Sequence, residues 1–152
     1  MKGVIVYDSV YGNTELVAKM IAARLEAEGH SVRLVRVKDA LKERTEGDFL
    51  FLGSPTRMGG MTGRMKKFIK GADWDAWGKK PVAAFDTEMD EVIAKDGASA
   101  AAKMHDLVRS KGAKVHTPVL KVGVTGVRGP LSLGSEKGIE AYVSEFLSSA
   151  AC

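Results

Sequence analysis

The chain has 152 residues, 45% hydrophobic and 28% charged, with a formal net charge of +4 and a pI near 9.2. That is enough chain for one domain with a sizeable core over residues 1–152. No apolar run approaches the roughly 20 residues of a membrane helix, and Met1–Tyr7 lacks the length and cleavage site of a secretion signal, so a cytoplasmic protein with no membrane partner is expected. Lys and Arg are interleaved with Asp and Glu instead of gathered into a stripe, which argues against a nucleic-acid partner.

The run Val4–Tyr7 is continuously apolar, as in a strand buried on both faces. From Thr14 to Glu28 a helix is expected, with Leu16, Val17, Met20, Ile21 and Leu25 inward and Gly29 as its stop. Ser31–Val37 alternates through Val32, Leu34 or Val35, and Val37, and reads as an edge strand; Asp39–Glu43 reads as a short helix. Phe49–Gly53 is a third, buried strand. Met61, Met65, Phe68 and Ile69 mark the next helix, and its methionines read as core packing. Arg64, Lys66, Lys67 and Lys70 on that helix form a solvated face, with an acidic partner protein as the functional alternative.

A connecting loop over Asp73–Lys80 holds Trp74 and Trp77. Val82–Phe85 is the fourth strand, Ala98–Lys111 a helix closed by Gly112, and a fifth strand runs from near Lys114 to Val122. Thr125–Ser135 is a Gly-rich surface loop that could rim a partner site, and Glu136–Ser148 is the last helix. His30, His105 and His116 have no metal-ligand spacing and read as surface residues. Cys152, the one cysteine, excludes an internal disulfide and reads as a frayed terminal thiol.

Five strands alternating with helices make an α/β chain with a parallel sheet covered on both faces. Ligands of such sheets bind beyond the carboxyl ends of the strands. The polar loops fall at those ends: residues 8–14, 54–61 and 86–97. In the first, Ser9 and Thr14 offer hydroxyls, Asn13 an amide, and Gly12 a backbone that can approach closely. The following helix start adds unpaired N–H groups and a positive dipole end. Capping by Ser9 and Thr14 uses the same geometry as phosphate binding. The loop has no Lys or Arg, no Gly-Lys-Ser/Thr ending and no G-x-G-x-x-G, so it suits a single phosphate held by neutral donors. Asp8, beside it, is expected to bond the loop backbone, because its charge opposes phosphate unless paired.

The segment Ser9-Val10-Tyr11-Gly12-Asn13-Thr14 resembles the phosphate loop of the flavodoxin family, Ser/Thr-x-Thr/Tyr-Gly-x-Thr, and Gly53–Met61 resembles that family's second loop. The resemblance implies a three-layer flavodoxin-like sandwich with strand order 2-1-3-4-5, FMN as cofactor, and electron transfer between redox partner proteins, a reductase and an acceptor. It implies that Ser9, Val10, Tyr11, Gly12, Asn13 and Thr14 hold the phosphate, and that Pro55, Thr56, Arg57, Met58, Gly59 and Gly60 lie against the ring. Asp86, Thr87, Glu88 and Met89 would flank it. A peptide at Met58-Gly59 or Gly59-Gly60 would turn its carbonyl on reduction of the flavin. Unlike the electron carriers, the chain has no aromatic at 57–58 or 86–91. Met58 could then cover one ring face and Arg57 stabilise an anionic reduced form, with Glu88, Asp90 and Glu91 opposing it. A second resemblance, carried by Pro55-Thr56-Arg57-x-Gly-x-Met, Met65-Lys66-x-Phe68 and Trp77-Gly78-Lys79, is to FMN-dependent NAD(P)H:quinone oxidoreductases of the Trp-repressor-binding-protein family. There Trp74 or Trp77 could supply an aromatic, and NAD(P)H and quinone would be substrates. An interaction protein without flavin is a third reading.

Overall fold

The computed structural model describes residues 1–150; Cys152 and its expected fraying lie outside them. In chain order the elements are β1 (Lys2–Tyr7), α1 (Asn13–Ala27), β2 (Ser31–Arg36), α2 (Val37–Ala40), β3 (Phe49–Pro55) and α3 (Gly63–Gly71). Then come α4 (Trp74–Trp77), β4 (Val82–Met89), α5 (Asp90–Ala94), α6 (Ala100–Ser110), β5 (Leu120–Val124) and α7 (Ser135–Ala150). The strands form one parallel sheet in the order β2-β1-β3-β4-β5. The expected order 2-1-3-4-5 is therefore the observed one, with β2 at an edge.

Strand alternation sorts the core into two layers. Ile5, Phe49, Phe51, Ala83 and Phe85 face α1 and α7, where Phe146 packs 4.6 Å from Phe51 and 5.6 Å from Phe49, centroid to centroid. Val4, Val6, Leu50, Leu52, Val82 and Ala84 face α3 and α6. Gly53 lies under the Phe85 ring of the first layer. A Cβ there would stand 2.1 Å from the Phe85 ring, so the missing side chain is what lets that ring lie against β3.

Several boundaries depart from the sequence expectation. β4 does not stop at Phe85: it pairs with β5 through Met89 opposite Val124, so the first residues of the expected 86–97 loop are strand. Their polarity concealed this, because Asp86, Thr87 and Glu88 are buried and bonded inward instead of solvated. β5 begins at Leu120, and Val115 makes only an isolated bridge to Val82. The short helix is Val37–Ala40, four residues whose first and last, Val37 and Ala40, are buried. Asp73 accepts a bond from the Ala76 amide at 3.1 Å and starts α4 inside the expected loop. Both tryptophans are core residues of the α3 side, Trp74 donating its indole N–H to the Ile69 carbonyl at 2.7 Å. Leu16, expected inward, is exposed, and of Leu34 and Val35 it is Val35 that is buried. The three histidines are half-buried instead of superficial. His116 lies 5.3 Å from the Phe146 ring, and burial lowers its pKa against the raising field of Glu145.

Candidate functional site

The carboxyl ends of β1, β3 and β4 open onto one cavity of about 200 Å³. Its floor is the loop from β1 to α1. Gly12 takes a left-handed φ of 93° and serves as the N-cap residue with no side-chain cap bond of its own, so the first turn of α1 is capped from Ser9 and not by Thr14. The Ser9 hydroxyl accepts from the Gly12 amide at 3.2 Å and the Glu15 amide at 3.3 Å, which leaves its own proton free to be donated outward. The amides of Val10, Tyr11, Asn13 and Thr14 have no partner among the described residues. Unpaired amides at a helix start are costly unless water or an anion meets them. Thr14 is buried, and its hydroxyl bonds that of Thr87 at 2.8 Å, tying the loop to β4.

Asp8, at the end of β1, would set a charge against any anion here. Its oxygens receive the Thr62 hydroxyl at 2.6 Å, the Ser9 amide at 3.0 Å, and Arg64 at 3.2 and 3.3 Å. Arg64 is thus the counter-ion of Asp8 and not simply part of the solvated face of α3.

The second wall is the hairpin after β3. Arg57 and Gly60 exchange both backbone bonds, at 2.8 and 3.0 Å, around Met58 (φ 51°) and Gly59 (φ 77°). Two positive φ values across a two-residue loop make a type I′ turn, in which Met58 occupies a position that favours Asn or Gly. The Gly60 N–H is held by the Arg57 carbonyl, whereas the Met58-Gly59 peptide bonds nothing among the described residues. The Met58 side chain is fully exposed at the mouth.

Of the expected site residues, Ser9, Val10, Tyr11, Asn13, Thr14, Pro55, Thr56, Arg57, Met58, Thr87, Glu88 and Met89 line this cavity. Gly12 shapes the loop behind it, and Gly59, Gly60 and Asp86 are not in the lining. Val124 and Val127 line it unexpectedly. They come from the end of β5 and the loop beyond, which folds back so that Gly129 lies against Asn13: a Cβ there would be 2.5 Å from Asn13 Oδ1. Arg128 stands 5.6 Å over the Tyr11 ring. The signal in the sequence was the Gly126, Gly129 and Pro130 spacing at a strand's carboxyl end.

A sequence profile of the flavodoxin domain matches residues 4–120. The chain belongs to the flavodoxin family. This flavodoxin-family chain is 39% identical over 80 residues to a flavodoxin of Aquifex aeolicus (strain VF5), a stretch covering 51% of this chain and 43% of that protein. The matched stretch therefore spans less than half of that relative's length. Among solved structures, a flavodoxin from the domain Archaea superposes with a TM-score of 0.80 at 22% identity, over all of both chains. A flavodoxin, WrbA-like protein from Agrobacterium tumefaciens superposes at 0.75 with 20% identity, over 99% of this chain and 97% of its own. At these identities the two structures speak for the fold alone.

Proposed function

We propose that the chain binds FMN in this cavity and carries electrons between redox partner proteins. The observation that carries the reading is the loop from Ser9 to Thr14: unpaired amides and an available hydroxyl at a helix start, with no cation among them. This donor set fits one phosphate and lacks what a triphosphate needs. The residues present also fit the rest of the cofactor. Thr56 to Met58 on one side and Thr87 to Met89 on the other leave a slot leading from the loop to the surface. At about 200 Å³ it is below the ~300–1,000 Å³ of enclosed ligand sites, so a mononucleotide would keep an edge in solvent. An exposed edge is what outer electron exchange with a partner requires.

When bound, FMN supplies the electron chemistry, and the protein supplies binding, orientation and local charge. Ser9 and the loop amides would hold the phosphate, and Arg64 would neutralise Asp8 beside it. Thr87 fixes Thr14 through its hydroxyl. Arg57, exposed at the mouth, has no acidic partner among the described residues and would favour added negative charge. The Met58-Gly59 peptide, which bonds nothing among the described residues, would be free to turn.

A second reading is an FMN-dependent NAD(P)H:quinone oxidoreductase. It is favoured by the mouth: Tyr11 is the one aromatic among the described lining residues, and Met58 stands clear of the surface, so one ring face would be open to a substrate. Both readings are tested together by loading the protein with FMN and following NAD(P)H oxidation with and without quinone, and reduction by a flavodoxin reductase. Rapid quinone-dependent turnover refutes the pure carrier. Reversible reduction by the reductase, with no nicotinamide reaction, refutes the quinone reductase.

A further inference from the structure

Two acids on the cavity-facing end of β4 are buried without the donors that two charges need. Asp86 and Glu88 are i and i+2 on one strand, so they share a face, and both are essentially without solvent contact. The Thr56 hydroxyl lies 3.1 Å from Asp86 Oδ2 and 3.3 Å from Glu88 Oε2. That hydroxyl accepts from the Ala100 amide at 3.0 Å and has a single proton, so it can donate to only one acid at a time. Asp86 Oδ2 has one other donor, the Ala101 amide at 3.0 Å. Asp86 Oδ1 and Glu88 Oε1 are buried and bond nothing among the described residues.

The surrounding charges do not make good the deficit. Lys121, the register neighbour of Asp86 on β5, turns its ammonium to Asp96 at 3.6 Å. On α6, Lys103 is exposed against Gly60, and Arg64 of α3 is taken by Asp8. Arg57 reaches out at the mouth, and on α5 Asp90 accepts from the Ser132 hydroxyl at 2.6 Å while Glu91 is exposed. Two like charges in a dry site on two donors are not sustainable; one proton between them is.

We infer that Asp86 and Glu88 share one proton in the folded protein at neutral pH, and that Glu88, which lines the cavity, offers it as a hydrogen-bond donor to an acceptor atom of the bound ligand. The second half rests on the flavin reading; the first does not. Burial, then the bond to Glu88, raises the Asp86 carboxyl to about 8. The pair therefore contributes one negative charge beside the ligand instead of two. With the proton on Glu88 that side chain is neutral and donates to the ligand, and the one remaining negative charge lies on Asp86.

The shared proton is read without any flavin, by following the side-chain carboxyl carbon signals of the flavin-free protein by NMR from pH 4 to 9. One step is expected near pH 8, and in Asp86→Asn that step disappears. Ionisation of every carboxyl below about pH 5 would overturn the inference. The donor role is read from FMN affinity over pH 6.5–9. In the unsubstituted protein Kd rises above the midpoint by up to about tenfold per pH unit, whereas Glu88→Gln, which keeps a donor and cannot ionise, binds evenly across the range. A flat profile in the unsubstituted protein overturns the donor role. Absence of FMN binding at every pH refutes the flavin reading and the donor role with it, while the shared proton stands or falls on the carboxyl titration alone.

Discussion

Replacing Asn13 with Asp separates stability from ligand binding, because the two respond with opposite signs. Asn13 is the first residue of α1 and lines the cavity floor, half-exposed, next to amides that bond nothing among the described residues. Aspartate is isosteric, so its contact with Gly129 survives. A carboxylate in the first turn of a helix stabilises it by about 0.3–1 kcal/mol. The same charge would stand about one hydrogen-bonding neighbour from a phosphate held by this loop. At ~4 Å two unit charges repel by about 1 kcal/mol in water and about 4 kcal/mol at an effective dielectric near 20. The site is half-open, so the cost falls between those bounds, a rise in Kd for FMN of roughly 5- to 1000-fold. The assay is a fluorescence titration of FMN at low and high salt, beside thermal unfolding of the flavin-free protein. Unfolding shifts upward, affinity falls, and the fall shrinks with salt. An unchanged Kd at low salt, with the stability gain present, would show that the phosphate does not sit on this loop.

Other substitutions probe the supports of the site. Arg64→Ala removes the counter-ion of Asp8 and is expected to weaken FMN binding several-fold while leaving urea stability nearly unchanged, since the arginine is largely exposed. Gly53→Ala forces a methyl group into the Phe85 ring and should cost about 1–3 kcal/mol or more in urea unfolding. Phe146→Ala opens the α1–α7 layer where three aromatic rings meet, with an expected loss of about 3–5 kcal/mol. The Asp86 carboxyl is raised when folded, so the native state binds the extra proton. Stability from this group is full below the ordinary carboxylate range and declines as pH rises from about 4 to about 8, by at most about 1.4 kcal/mol per pH unit. Urea unfolding at pH 5, 6.5 and 8 checks it: Asp86→Asn should flatten the slope, and a stability that rises with pH in both proteins would contradict it.

The fold was largely legible because its signals are local. Continuous apolar runs at Val4–Tyr7 and Phe49–Leu52 announced central parallel strands, and the helical spacing of Val17, Ile21 and Leu25 announced α1. The place of the Ser9–Thr14 loop at the cavity floor was legible for the same reason, since strand, loop and helix are consecutive. What escaped depends on partners distant in sequence. Asp86 and Glu88 looked like loop acids, and only Thr56, thirty and thirty-two residues earlier, with the α6 amides makes them interior residues of β4. Arg64 gave no sign of its bond to Asp8, fifty-six residues away. Val127 joins the cavity through a loop whose return depends on Gly129 packing on Asn13. Trp74 and Trp77 sit in a stretch too short for helical periodicity to show.

The most direct measurement compares FMN with riboflavin, which has the same ring and no phosphate, by fluorescence quenching with the flavin-free protein. FMN is expected to bind at micromolar concentration or below. Riboflavin is expected to bind at least about tenfold more weakly, because about 1.4 kcal/mol or more comes from the Ser9–Thr14 donors. Equal affinity for the two, or binding of neither at micromolar concentration, would contradict that expectation.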